Sequence, residues 1–121
     1  MPLVNLENLE ELALADSIRA RVINTGNVSV AHVNLDAGAV LQEHSHHHEQ
    51  IVNVVDGELE LTVGGEAIIL KRGLSMVLPP MVPHSGRALT DVLVLDIFHP
   101  VREDFVAMAE GAAGPNPYDQ D

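Results

Sequence analysis

The stretch His44-Ser45-His46-His47-His48-Glu49-Gln50 places four of the chain's seven histidines within five positions and follows them with a carboxylate and a carboxamide. Upstream lies Gly38, and downstream run Ile51-Val52-Asn53-Val54-Val55, closed by the turn pair Asp56-Gly57. Read as a strand, the segment sends alternate side chains to opposite faces, so His44 and His46 share a side, about 6.6 Å apart along the chain. Two imidazoles on one face converge on a single ion at about 2.0–2.2 Å each. His47 and His48 cannot both join them without breaking the alternation, and they read as solvent-facing or rim residues. The segment predicts a metal site on a β scaffold, with His44 and His46 as its first two ligands.

Outward from this stretch the period stays strand-like. Ile18 to Ile23 and Val28 to Leu35 read as strands separated by the turn cluster Asn24-Thr25-Gly26-Asn27, and Asp36-Ala37-Gly38 ends the second. His32 shares a face with Val28, Val30 and Asn34, which predicts a pocket wall or a hydrogen-bonded core histidine. Asp56-Gly57 is a hairpin signal. After it Glu58-Leu59-Glu60-Leu61-Thr62-Val63 alternates polar and apolar, and Gly64-Gly65 and Lys71-Arg72-Gly73 turn the chain into two more strands. Pro79-Pro80-Met81-Val82-Pro83 lacks the donors a central strand needs, so it predicts an edge or crossing loop that delivers His84. Asp91 to Phe98 is the last strand, with His99 beside Pro100 as a structural histidine. Pro100 to Glu110 reads as a short outer helix. Many short strands with frequent turns indicate an antiparallel sandwich or barrel.

At the ends, leucines 6, 9 and 12 fit either a short amphipathic helix or an extended arm packing on a partner subunit. The expected organisation is an N-terminal arm or short helix over 1–17, a barrel over 18–110, and a flexible Gly-, Pro- and acid-bearing tail over 111–121.

Composition narrows the function. At 121 residues the chain is one domain with a real core, and with only Phe98, Phe105 and Tyr118 as aromatics that core is aliphatic. Six basic residues against eighteen acidic ones give a net charge of −12 and no basic stripe, which argues against a nucleic-acid partner. Without cysteine there is neither a disulfide framework nor a thiolate site. No signal-peptide pattern or membrane-length apolar run is visible, so a cytoplasmic protein is expected. Any arginine near a pocket becomes the main anchor for an anionic ligand.

These elements resemble the cupin superfamily. Gly38, His44, His46, Gln50 and Gly57 meet every spacing of the first cupin motif. Gly73, Pro79 and His84 meet the second, with Met81 where the pattern has a glycine and Ala88 where it has an asparagine. The resemblance implies an all-β fold, an antiparallel double-stranded β-helix or jelly-roll barrel with a short C-terminal helix. It also implies one divalent transition metal (Zn, Ni, Fe, Mn or Co) held by His44, His46, Gln50 and His84. Gln50 stands where the commonest pattern has Glu and would bind through its carbonyl oxygen, while alternation points Glu49 to the opposite face. A homodimer built on N-terminal segments, with the leucines of residues 6–12 at its interface, is a further implication.

A second resemblance covers Asp96-Ile97-Phe98-His99-Pro100-Val101-Arg102-Glu103-Asp104-Phe105, which is similar to the C-terminal signature of the pectin-degradation (KdgF-type) cupins. In that group a glutamine among the metal ligands is usual, and the reaction opens the ring of 4,5-unsaturated monouronates to a linear keto form. The resemblance implies a small anionic sugar-like substrate and roles for three residues. Asp96 would move a proton, Arg102 would hold a carboxylate in a bidentate fork, and Phe98 would cover the sugar ring. The bland alternative is a buried Asp satisfied by backbone donors, a core Phe, and an Arg bridging to Glu103 or Asp104 on the surface. Two other functions compete with ring opening: an Fe- or Ni-dependent dioxygenase and a non-enzymatic metabolite-binding cupin.

Overall fold

The computed structural model describes residues 3–111, so expectations for the tail beyond Gly111 lie outside the described residues. Ten strands form two antiparallel sheets. They are β1 (Leu12–Ala15), β2 (Ile18–Asn24), β3 (Ser29–Leu35), β4 (Val40–His44), β5 (Glu49–Asp56), β6 (Glu58–Val63), β7 (Glu66–Lys71), β8 (Ser75–Leu78), β9 (His84–Ala88) and β10 (Val92–His99). One sheet runs β1-β2-β3-β10-β5-β8 and the other β4-β9-β6-β7. From β3 onward the chain passes repeatedly between sheets, which closes the jelly-roll barrel. The helix α1 (Glu103–Ala109) packs outside it, with Phe105 fully buried. No helix among the described residues is long and apolar enough to cross a membrane.

Period-2 alternation builds the core. In β2 and β3 the buried apolar side chains are Ile18, Ala20, Val22, Ala31, Val33 and Leu35; in β6 they are Leu59 and Leu61. His32 therefore projects from the outer face of the six-stranded sheet, because its neighbours Ala31 and Val33 take the interior. The expectation of a pocket wall or core histidine is corrected on that ground.

Two turn signals are used differently from one another. Gly64-Gly65 makes a two-residue hairpin between Val63 and Glu66, with φ of 56° and 86°, the left-handed pair such a turn demands. Asp56-Gly57 is instead a corner: β5 pairs with β10 and β8, whereas β6 pairs with β7 and β9. Gly57 has φ 88°, and a Cβ there would lie 2.1 Å from the Asp91 carbonyl oxygen, so only glycine fits. At the N-terminus the leucines form no α-helix. Leu6–Asn8 is a single 3-10 turn capped by the Asn5 side chain, and Leu12 is buried in β1, which pairs with β2 of the same chain.

Candidate metal centre

His44, His46 and His84 bring one nitrogen each to within 4.8 Å of one another at one end of the barrel. They arrive by different routes. β4 carries a bulge between Leu41 and His44, where three steps on β4 match two on β9, so that Leu41 pairs with Gly86 and His44 with His84. The extra residue puts Leu41 and His44 on the same interior face despite their odd spacing. His46 lies in the loop between β4 and β5, not in a strand. The expectation that one strand's alternation aligns His44 with His46 is thus corrected: the convergence comes from a bulge and a loop. His84 opens β9, delivered by the proline-rich crossing. The Met81 N–H donates to the His46 carbonyl oxygen at 2.8 Å, tying that crossing to the His46 loop. Met81 itself holds φ 68°, the one positive-φ non-glycine among the described residues, at the position where the cupin pattern has glycine.

Each imidazole is oriented by a backbone carbonyl. His44 Nδ1 lies 2.7 Å from the Gln42 oxygen, His84 Nδ1 2.9 Å from the Val82 oxygen, and His46 Nδ1 3.1 Å from the His48 oxygen. A carbonyl oxygen only accepts, so each Nδ1 carries the proton and each Nε2 presents a lone pair, the arrangement that orients metal-bound histidines. Gln50 completes the set. Its Nε2 donates to Asp96 Oδ1 at 3.1 Å, which turns its Oε1 toward His46 Nε2, also at 3.1 Å. Two acceptors then face each other, and His84 Nε2 is buried with no hydrogen-bond partner. A cation among these four atoms satisfies all of them, so the residues present fit a metal ion. Three neutral nitrogens and one neutral oxygen suit a divalent ion of the Zn, Ni, Co, Fe or Mn type. Glu49 is exposed on the opposite face.

The electrostatics favour the neutral imidazole at His46 and His84. Burial, helped by the charge of Arg102 and by the neighbouring histidines, pushes His46 down to about 4. Burial also lowers His84, opposed by its bond to Val82 and reinforced by His44 and Arg102. Asp96 moves the other way: burial raises it to about 7, with Gln50 and Arg102 pulling it back.

Asp96 faces the interior from β10, on the face that Val92 and Val94 occupy further along the strand. With His44, Gln50 and His84 it lines a pocket open to solvent, whose other walls include Val33, Leu35, Val52, Leu59, Leu61 and Val94. A mostly apolar lining with a few convergent polar groups is the make-up of a small-molecule site.

Phe98 and Arg102 sit behind this pocket and do not line it. Phe98 is fully buried and meets the His46 ring edge-on at 5.8 Å. The Arg102 guanidinium lies between the Phe98 and Phe105 rings, 4.7 and 4.4 Å from their centroids. Its Nε and Nη2 donate to Asp104 at 2.9 and 2.6 Å, and its backbone N–H donates to Ser29 Oγ at 2.8 Å. The fork expected to hold a substrate carboxylate is engaged by Asp104, and the ring expected to cover a sugar is core. The pairing with Asp104 follows from a spacing visible in the sequence; its burial, and the role of Ser29, have no sequence signal. His48, read as a rim residue, is 4% exposed and reaches Glu103, whereas His47 is exposed.

The family model described as "Cupin domain" matches residues 31–98, which hold the whole metal constellation. The chain therefore belongs to the cupin family. Within it, the chain is a KdgF-like cupin. It is 32% identical over 96 residues to the pectin degradation protein KdgF of Dickeya dadantii, covering 77% of this chain and 87% of that protein. The structure of KdgF from Halomonas sp. is 33% identical with a TM-score of 0.78, covering 84% of this chain and 94% of that one. An RmlC-like cupin from Shewanella frigidimarina is 30% identical, also at a TM-score of 0.78, covering 82% and 90%.

Proposed function

We propose that the protein opens the ring of 4,5-unsaturated uronates with a divalent metal held by His44, His46, Gln50 and His84. The observation that carries this reading is the placement of Asp96. It is the acidic side chain lining the pocket, and it holds the carboxamide whose oxygen faces the histidines. The 32% identity to a pectin degradation protein supports the substrate class. When bound, the ion supplies Lewis-acid polarisation of a substrate oxygen. The chain's own residues do the rest. Gln50 positions Asp96 beside the ligand-facing lone pairs. Asp96 takes the proton released as the ring opens and returns one to carbon as the enol becomes a ketone, so the sugar's composition is unchanged. The apolar walls, Val33, Val52 and Leu61 among them, lower the polarity around that transfer. Arg102 is a positioning residue: through Phe98 it supports His46, and its charge disfavours protonation of His46 and His84.

The test follows loss of the ring double bond's ultraviolet absorbance with 4,5-unsaturated galacturonate under nitrogen. Loss that disappears with chelator and returns with added metal is expected. A flat trace from metal-loaded protein, with oxygen uptake on other substrates, would instead establish the dioxygenase.

The same reading includes a homodimer. On an acidic chain, the outer face of the six-stranded sheet gains no carboxylate from β2, β3, β8 or β10, while β5 adds Glu49 and Asp56 at its two ends. It presents Val77 and Val55, 58% and 44% exposed, beside the half-buried Ile51, Leu95 and Ile97. A second copy of this face is its occupant.

A further inference from the structure

The three side chains His47, His48 and Glu103 form a second cluster that the proposed reaction does not use. We infer that they are a separate metal-binding site, of a class that takes zinc. Their donor atoms lie within 4.8 Å of one another. His47 Nε2 is 3.6 Å from Glu103 Oε1, and His48 Nε2 is 3.3 Å from Glu103 Oε2. Ligands bound to a tetrahedral zinc at their usual bond lengths lie about 3.3 Å apart, so both separations are close to those of a coordinated set. Two imidazoles with one carboxylate are a known zinc donor set and leave a position for water.

The cluster is built, not only adjacent in sequence. The His48 side chain is 5% exposed, and its ring is held between its neighbours: His47 lies 3.9 Å away at 32°, and His46 lies edge-on at 5.3 Å. Glu103 comes from a different element, the first turn of α1, fifty-five residues further along. An ion there joins the loop that carries His46 to the helix that begins immediately after Arg102. It would act as a staple across the two segments that support the main site, without touching the pocket.

The test is zinc stoichiometry at micromolar free zinc, measured by equilibrium dialysis on the wild type, Glu103→Gln and His47→Ala. Both residues are largely exposed, with side chains 67% and 58% accessible, so neither change disturbs the core. Each variant is expected to bind one equivalent fewer than the wild type, whatever the main site contributes. A wild-type stoichiometry retained by either variant would overturn the assignment and leave the contacts as ordinary histidine–carboxylate pairs.

Discussion

At the scale of single residues, the site depends on two buried side chains with different needs. In the proposed reaction Asp96 transfers the proton, and Asp96→Asn keeps its shape while removing that capacity. The variant is expected to lose about 10²–10⁴-fold in turnover while retaining wild-type metal content, measured by anaerobic assay beside metal analysis. Equal activity in the two proteins would remove Asp96 from the mechanism. Arg102 is a charge held 3% exposed between two phenyl rings, with Asp104 as its bidentate partner. Asp104→Ala removes the carboxylate that pairs with this buried charge, a change that costs about 3–5 kcal/mol. Urea denaturation should show the loss; an unchanged midpoint would mean that the pair contributes nothing to stability. The sequence carried Asp96, Phe98 and Arg102 as a group because a resemblance joined them. It could not separate the residue that faces the pocket from the two behind it, since all three lie on or just past one strand, and burial depends on what packs above them.

At the scale of elements, the loops and corners decide the geometry. The strand positions were readable because alternation is a local property, and β2, β3, β6 and β10 follow it closely. The bulge in β4 and the loop position of His46 were not readable, because an inserted residue leaves no compositional trace. Nor did Asp56-Gly57 reveal whether it joins paired strands or turns between sheets, since both need the same backbone freedom. At that corner Gly57→Ala sets a methyl against the Asp91 carbonyl and should cost about 2–4 kcal/mol in a chemical denaturation experiment. A loss of a few tenths would show that the corner relaxes. Met81 offers the opposite case. It is 59% exposed and held at φ 68° so that its N–H can reach the His46 carbonyl. Met81→Gly relieves that conformation and is expected to raise stability by about 0.5–1 kcal/mol, seen as a higher urea midpoint at unchanged slope. A lower midpoint would mean that the Met81 side chain contributes more than its backbone costs.

At the scale of the molecule, ten strands in two sheets bring residues from positions 44, 46, 50 and 84 together at one end of a barrel whose core is mostly aliphatic. The outer face of the six-stranded sheet is proposed to pack on its copy, so Val77→Lys should convert a dimer into a monomer in sedimentation velocity. A wild-type monomer would end that reading without touching the site. The central claim is that three imidazoles and the Gln50 oxygen enclose one divalent ion. The most direct measurement is an anomalous difference map at the zinc edge from crystals of zinc-loaded protein. The account predicts a peak at bonding distance, about 2.0–2.2 Å, from Nε2 of His44, His46 and His84 and from Gln50 Oε1, with Asp96 still accepting the Gln50 amide hydrogen. No peak among the three histidines, or one with Gln50 turned away from it, would contradict the account.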